Sequence, residues 1–203
     1  MQAVAINSVI TMAYTPIEEG ATDIELEFTL QGVGWLGFGV GSGMSGADIV
    51  LMNVVEGVGA VVDCSSSSYS LPAADAEQNV EYLSSSEAGG VTVVRFRRPI
   101  TASAPDDRSL STTGATPLIF AWSASSDAVA YHGGNKKQLS LDFRAGYGGV
   151  VEDDELNVAV FGFHGMSMAS CFLVLMPFAG GLARFGKTRM KWRSTHKSVM
   201  MLV

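Results

Sequence analysis

Thr22-Asp23-Ile24-Glu25-Leu26-Glu27-Phe28-Thr29-Leu30-Gln31 alternates without a break. Ile24, Leu26, Phe28 and Leu30 fall on one side, and Asp23, Glu25, Glu27 and Thr29 on the other. A period of two is the signature of a half-buried antiparallel strand, because successive side chains point to opposite faces. Shorter runs of the same kind recur at 35–40, 48–55, 60–63, 91–97, 118–123 and 138–143. Turn-formers separate them: Glu19-Gly20, Gly57, the serine run Ser65–Ser68, Gly89-Gly90, Pro105-Asp106 and Gly133-Gly134-Asn135. Short strands punctuated this often predict a mainly β, antiparallel sandwich over residues 1–143, with Trp35 and Trp122 in or beside its core. No competing 3.6-residue periodicity is present in this part of the chain.

Beyond the sandwich the composition changes. Residues 144–155 are rich in glycine and acid and read as a linker. The next stretch, Val158 to Ala183, holds 26 residues without Asp, Glu, Lys or Arg, yet includes His164. About 20 apolar residues cross a bilayer as a helix, so this run predicts one complete transmembrane helix. Residues 199–203 then read as part of a second helix, begun and cut short, so the chain is expected to be a fragment. Arg184, Lys187, Arg189, Lys191 and Arg193 follow the first span, which predicts that the Arg184–Arg193 loop is cytoplasmic and the sandwich extracytoplasmic. No secretory signal is visible at the N-terminus.

Charge divides at the same place. The first 155 residues hold all 20 acidic residues against 7 basic ones, a net of −13; the remainder has 6 basic and no acidic residues, a net of +6. With no basic patch outside the juxtamembrane run, nucleic acid is not expected as a partner; the membrane is. Cys64 lies in the sandwich and Cys171 in the span, so no intradomain disulfide is expected.

Several motifs bear on chemistry. Gly41-Ser-Gly43-Met44-Ser-Gly46 matches a dinucleotide-loop string, but β-branched Asp48-Ile-Val-Leu-Met-Asn-Val-Val follows where that loop needs a helix. Met44 therefore draws attention on other grounds, as a thioether in a glycine-rich turn. His132, in Ala130-Tyr-His132-Gly-Gly, is the one histidine of the first 155 residues. A methionine and a histidine on opposing loops can hold a haem iron, and a thioether ligand raises its potential. The residue types alone also allow Met44 as core filler and His132 as a surface loop residue. Asp48, Asp75, Asp106 and Asp107 offer hard oxygen ligands, but no calcium-loop spacing is present, and they read as solvated loop residues. No nucleophile elbow supports Ser-His-Asp catalysis.

Trp35-Leu-Gly-Phe-Gly39, Gly43-Met44-Ser-Gly-Ala-Asp48-Ile-Val, Asp75-Ala-Glu-Gln-Asn-Val, Val94-Arg-Phe-Arg97-Arg-Pro, Asp106-Asp107, Phe120-Ala-Trp122 and Tyr131-His132-Gly, in this order, resemble a DOMON domain. The resemblance covers most of residues 10–143 and implies an extracytoplasmic, immunoglobulin-like β-sandwich. It further implies haem b, ligated by Met44 and His132 as in the cytochrome members. Phe163-His164-Gly-Met166-Ser-Met168, Met176-Pro177, Ala183-Arg184-Phe and Trp192-Arg-Ser-Thr-His196 resemble the opening of a cytochrome b561 core. That second resemblance implies a truncated transmembrane domain over 156–203, with His164 and His196 as further haem ligands and Arg184 at a binding site for ascorbate. Four histidines serve such a core, and this chain has two. Together the resemblances imply a membrane-anchored redox protein that carries electrons from cytosolic ascorbate to an external acceptor such as ferric chelate, with reductase activity in a longer parent. The alternative reading is a non-catalytic binding module for carbohydrate, metal or protein.

Overall fold

The structure, a computed structural model, describes residues 1–144 and 150–151. The chain divides into two compact units, Met1–Glu152 and Asp153–Val203, and all the described residues belong to the first. They form strands β1 (Gln2–Ala5), β2 (Ile10–Tyr14), β3 (Asp23–Gln31), β4 (Leu36–Val40), β5 (Ala47–Val55), β6 (Val58–Ser66), β7 (Ala73–Ala74), β8 (Glu81–Ala88), β9 (Val91–Pro99), β10 (Thr116–Trp122), β11 (Lys136–Leu141) and β12 (Val150–Val151). Among these residues no helix is long and apolar enough to cross a membrane. The helices expected over 156–203 lie outside the described residues, as do His164, Arg184 and His196.

The strands make two antiparallel sheets, one of five in the order β1-β2-β3-β9-β8 and one of seven in the order β12-β11-β10-β4-β5-β6-β7. The sandwich read from the alternation is therefore present. Strand β3 sits at the centre of its sheet because its two faces answer two environments. Ile24, Leu26, Phe28 and Leu30 are buried in the core. On the opposite face Glu25 pairs with both Arg95 and Arg97 of β9, and Arg97 reaches on to Glu81 of β8. Opposite charges on neighbouring strands stabilise a sheet face modestly and disfavour a one-residue slip in register. The β8–β9 hairpin turns at Gly89 and Gly90, with φ of +63° and +79°, a pair of left-handed positions that matches the twist of the strands it joins.

Between the sheets the core is continuous. Met12, Leu26, Phe28, Val94 and Phe96 from one sheet face Leu36, Phe38, Val50, Met52, Leu118 and Phe120 from the other. Phe38 is its hub. Its ring centroid lies 5.3 Å from that of Phe28, 5.8 Å from Phe120 and 6.4 Å from Phe96. Edge-on and tilted contacts of this kind add to the burial of aromatic area, so a few rings clamp the sheets together. Trp122 packs against this core half-buried. Trp35 is buried too, but its ring reaches the outward side of Gly37 rather than the space between the sheets.

Strand β6 runs further than the sequence suggests. Ser65 and Ser66 pair with Asp48 and Ala47 instead of turning. Within the stretch read as linker, Arg144 bridges to Ile17 and Val150–Val151 pair with β11.

Candidate functional site

A second apolar set lies on the outside of the seven-stranded sheet. Along β4, Leu36, Phe38 and Val40 enter the core, so Gly37 and Gly39 face outward. Ile49 and Leu51 of β5 and Ile119 of β10 alternate with core residues in the same way and join Ala47, Cys64 and Met44 in a cluster of their own. The two glycines lower the floor. A Cβ at Gly39 would lie 2.8 Å from Ile119 and 3.2 Å from Ile49, and one at Gly37 would lie 3.2 Å from Leu51. The neighbouring aliphatic side chains have closed over a strand with no side chains of its own on this face. The result is a flat apolar strip outside the core.

Two loops return over this strip from opposite ends. The first, residues 41–46, joins β4 to β5. Gln138 donates to the carbonyl of Ser42 at 3.0 Å, Ser45 Oγ donates to the carbonyl of Ser67 at 3.1 Å, and Gly46 N–H donates to the carbonyl of Ser66 at 2.6 Å. These bonds fold the turn over the outer face and set half-buried Met44 against the cluster of Ala47, Ile49 and Cys64. The second loop, residues 123–135, joins β10 to β11. Trp35 N–H donates to the carbonyl of Ser126 at 3.1 Å, and Asn53 Nδ2 to the carbonyl of Asp127 at 3.0 Å. It carries His132, whose Nδ1 donates to the carbonyl of Gly133 at 3.1 Å, which leaves Nε2 as the acceptor nitrogen. A metal-binding imidazole is commonly held through its other nitrogen in this manner. Tyr131, 89% exposed, stands beside it with ring centroids 5.3 Å apart.

Leu118 pairs with Val40 and Trp122 with Leu36, so the Met44 loop leaves one end of the β4–β10 pair and the His132 loop leaves the other. The two residues therefore stand at opposite ends of the β4–β10 pair, Met44 against the outer cluster and His132 half-buried in its own loop. A thioether on an apolar cluster and an imidazole whose Nε2 makes no hydrogen bond among the described residues are donor types that suit a b-type haem. Gly37, Gly39, Ile49, Leu51 and Ile119 are the part of this face that motif reading missed. Their signal was the alternation of glycine with large residues in Trp35-Leu-Gly-Phe-Gly, which marks the outward side of a buried strand as bare. Cys64 lies under the same cluster, where burial, reinforced by Asp75 and Asp63, pushes its thiol up to about 11.

The acidic residues do not behave as solvated loops. Asp48 and Arg98 form an ion pair at 2.9 Å between the two sheets, with both side chains buried. Asp48 Oδ2 also accepts the Arg108 N–H at 2.7 Å, and Arg108 Nε donates to the carbonyl of Gly46 at 3.0 Å, which ties the Met44 loop to the β9–β10 connection. Asp107 is buried as well, its Oδ2 accepting from Asn79 and from the backbone of Ser103 and Ala104. Asp63 pairs with Val50, a core-facing residue, and so points between the sheets. Burial, and then repulsion from Asp48, pushes its carboxyl up to about 6. Of the four acids singled out in the sequence, Asp106 alone is exposed in the expected way, Asp75 being half-buried. Asp63 was not singled out, although its parity in Val61-Val62-Asp63 placed a carboxylate at a core-facing position.

The DOMON domain family matches residues 7–123, more than half of the chain. Among solved structures, the chain is similar to the cytochrome b domain of pyranose dehydrogenase from Coprinopsis cinerea, at 15% identity and a TM-score of 0.57, over 65% of this chain and 75% of that one. It is likewise similar to the cytochrome domain of Myriococcum thermophilum cellobiose dehydrogenase, at 14% identity and a TM-score of 0.59, over 71% of this chain and 84% of that one. At such identities the likeness is one of fold.

Proposed function

Since this chain belongs to the DOMON domain family, we propose that its sandwich is a haem-binding electron-transfer module, with Met44 and His132 as the residues that would hold the iron. The observation that supports this reading is a thioether packed on the outer apolar cluster at one end of the β4–β10 pair and an imidazole held through Nδ1 in the loop at the other. The two solved structures of similar fold are themselves named as cytochrome domains, which supports it. A bound haem would supply one-electron chemistry at its iron. The chain's own residues have distinct tasks. Met44 offers a thioether, which favours the reduced iron and raises the potential. The Gly133 carbonyl fixes the tautomer and direction of the His132 ring. Ile49, Leu51 and Ile119, which close over Gly37 and Gly39, would offer an apolar surface that excludes water from the bound group.

In the same reading residues 1–143 are the redox sandwich, 144–155 a linker, and 156–203 the beginning of a cytochrome b561-like membrane domain. His164 and His196 are further haem ligands there, and Arg184 meets ascorbate on the cytoplasmic side. Electrons would pass from cytosolic ascorbate outward to an acceptor such as ferric chelate. The support for this part is the sequence: the uncharged run over 158–183, the basic loop after it, and the order of His164, Pro177, Arg184 and His196.

A pyridine haemochrome assay on the purified chain tests the central claim. Protein that folds as β-sheet by circular dichroism should carry haem b. Met44→Ala should lose the low-spin spectrum while keeping the β signal, and His132→Ala should do the same. A folded chain without haem, reconstituted with haemin to no effect, defeats the reading in favour of a non-haem binding module.

A further inference from the structure

We propose that Asp63, Asp75 and Asp107 form a binding site for a hard divalent cation of the calcium class, separate from the haem face. One carboxylate oxygen from each of the three can be chosen so that all lie within 4.8 Å of one another. Calcium binds oxygen at about 2.3–2.6 Å, and three oxygens no more than 4.8 Å apart share a point within about 2.8 Å of each, so a shift of a few tenths of an ångström seats all three on one ion.

The second observation is that the cluster is incomplete without something positive in it. Asp63 is 1% exposed, and its Oδ2 has no hydrogen-bond partner; the Oδ2 of Asp75 is also buried without one. Native proteins rarely leave a buried carboxylate oxygen bare, because an uncompensated charge out of water is strongly destabilising. Arg98 favours the Asp63 carboxylate through space but makes no hydrogen bond to it, its Nη2 being committed to Asp48 and to the carbonyl of Arg108 and its Nη1 having no hydrogen-bond partner. Asp63 thus faces repulsion from Asp48 and Asp107 that Arg98 offsets only in part.

The donor set selects the metal class. It is all oxygen, since Cys64 lies on the outer face of β6, away from Asp63, and zinc or copper would favour thiolate or imidazole. Irregular carboxylates from separate segments suit calcium, which accepts flexible shells of six to eight oxygens, better than magnesium with its demand for octahedral geometry. The three donors come from β6, from the residue after β7 and from the β9–β10 connection. Asp107 is held by the backbone of Ser103 and Ala104, and Asp75 by Ser65 Oγ at 2.6 Å and the carbonyl of Asp63 at 3.0 Å. An ion here would fasten the edge of the seven-stranded sheet to the loop that leaves the other sheet.

Calorimetric titration of the chelator-stripped full chain with calcium chloride tests this, beside thermal unfolding in EGTA and in calcium. Saturable binding of one ion is expected, with a Kd in the ~10⁻⁷–10⁻³ M range of sensor and extracellular sites. The Tm should rise by about 5 °C or more at a hundredfold excess over Kd. Asp63→Asn should weaken calcium binding at least tenfold while leaving the Tm in EGTA unchanged or higher, because it removes a repelled charge. Asp75→Asn, at a half-buried position, repeats the test should the first variant not fold. Two results would overturn the proposal: a folded wild-type chain that takes up no calcium, or variants that lose Tm in EGTA but bind calcium like the wild type. In the first case the cluster holds a proton rather than a metal.

Discussion

Replacing Asp48 by alanine should remove more stability than its small size suggests. Asp48 and Arg98 are 3% and 4% exposed at their side chains and 2.9 Å apart. Loss of the carboxylate leaves the Arg98 guanidinium between the sheets with carbonyl acceptors only, those of Arg108 and Pro99, and strips the Arg108 N–H of its acceptor. Breaking a buried pair from one side destabilises by about 3–5 kcal/mol, mostly through the charge left behind. The neighbouring Asp63 carboxylate, whose ionisation Arg98 already favours, compensates in part, so the lower end of about 3 kcal/mol applies. With a urea m-value of about 2 kcal/mol/M for a domain of this size, the midpoint should fall by about 1.5 M. Arg98→Met tests the reasoning. In the Asp48→Ala background it removes the stranded charge, so the double variant should be more stable than Asp48→Ala alone. An Asp48→Ala loss below about 1 kcal/mol, or a double variant destabilised by the sum of the single losses, would refute the account.

Three further outcomes are expected. Gly39→Val places branched carbon where a Cβ alone would already lie 2.8 Å from Ile119, so it should destabilise by about 1–3 kcal/mol and lower the haem-to-protein ratio below that of an equally destabilised core variant. Cys64, its thiol pushed up to about 11 by burial, should resist a disulfide reagent at pH 8 in the folded chain and react promptly in urea; prompt reaction in the native state would contradict its placement. Hydrogen bonds from Arg97 and then Arg95 hold the Glu25 carboxyl below the usual range. Its contribution is therefore complete above the unfolded value near pH 4 and lost as pH falls through the folded one, so Glu25→Gln should flatten the acid limb of a stability–pH curve and leave the alkaline limb unchanged.

The strands that could be read from the sequence were those whose two faces meet different surroundings. β3 is the clearest, its apolar side on the core and its acidic side against Arg95 and Arg97. β8 was harder, because Glu-Tyr-Leu-Ser-Ser-Ser-Glu-Ala is an edge strand with little to bury and no alternation to announce it. The serines at the end of β6 carry weak strand preference and are held by pairing with β5, a long-range effect that local composition does not report. Met44 and His132 were visible as unusual residue types in glycine-rich turns. The surface between them was not, because it is built from the absent side chains of Gly37 and Gly39 and from aliphatic residues on two other strands. Asp63, Asp75 and Asp107 are separated by up to 44 positions in the chain; the pairing of β6 with β7 brings the first two together, and only the closing of the sandwich adds Asp107. Trp35 follows the same logic: its burial was expected in or beside the core, but the loop over 123–135 passes it on the outward side.

Because the apolar strip lies outside the sheets, the interior is already complete when that strip is bare. Phe28, Phe38, Phe96 and Phe120 close on one another without any contribution from Met44 or His132. Assembly therefore has an order. On the haem-binding reading proposed above, the polypeptide would reach its final shape first and the prosthetic group would be captured afterwards on a finished surface. A shortage of haem would then yield folded, colourless chains rather than misfolded ones.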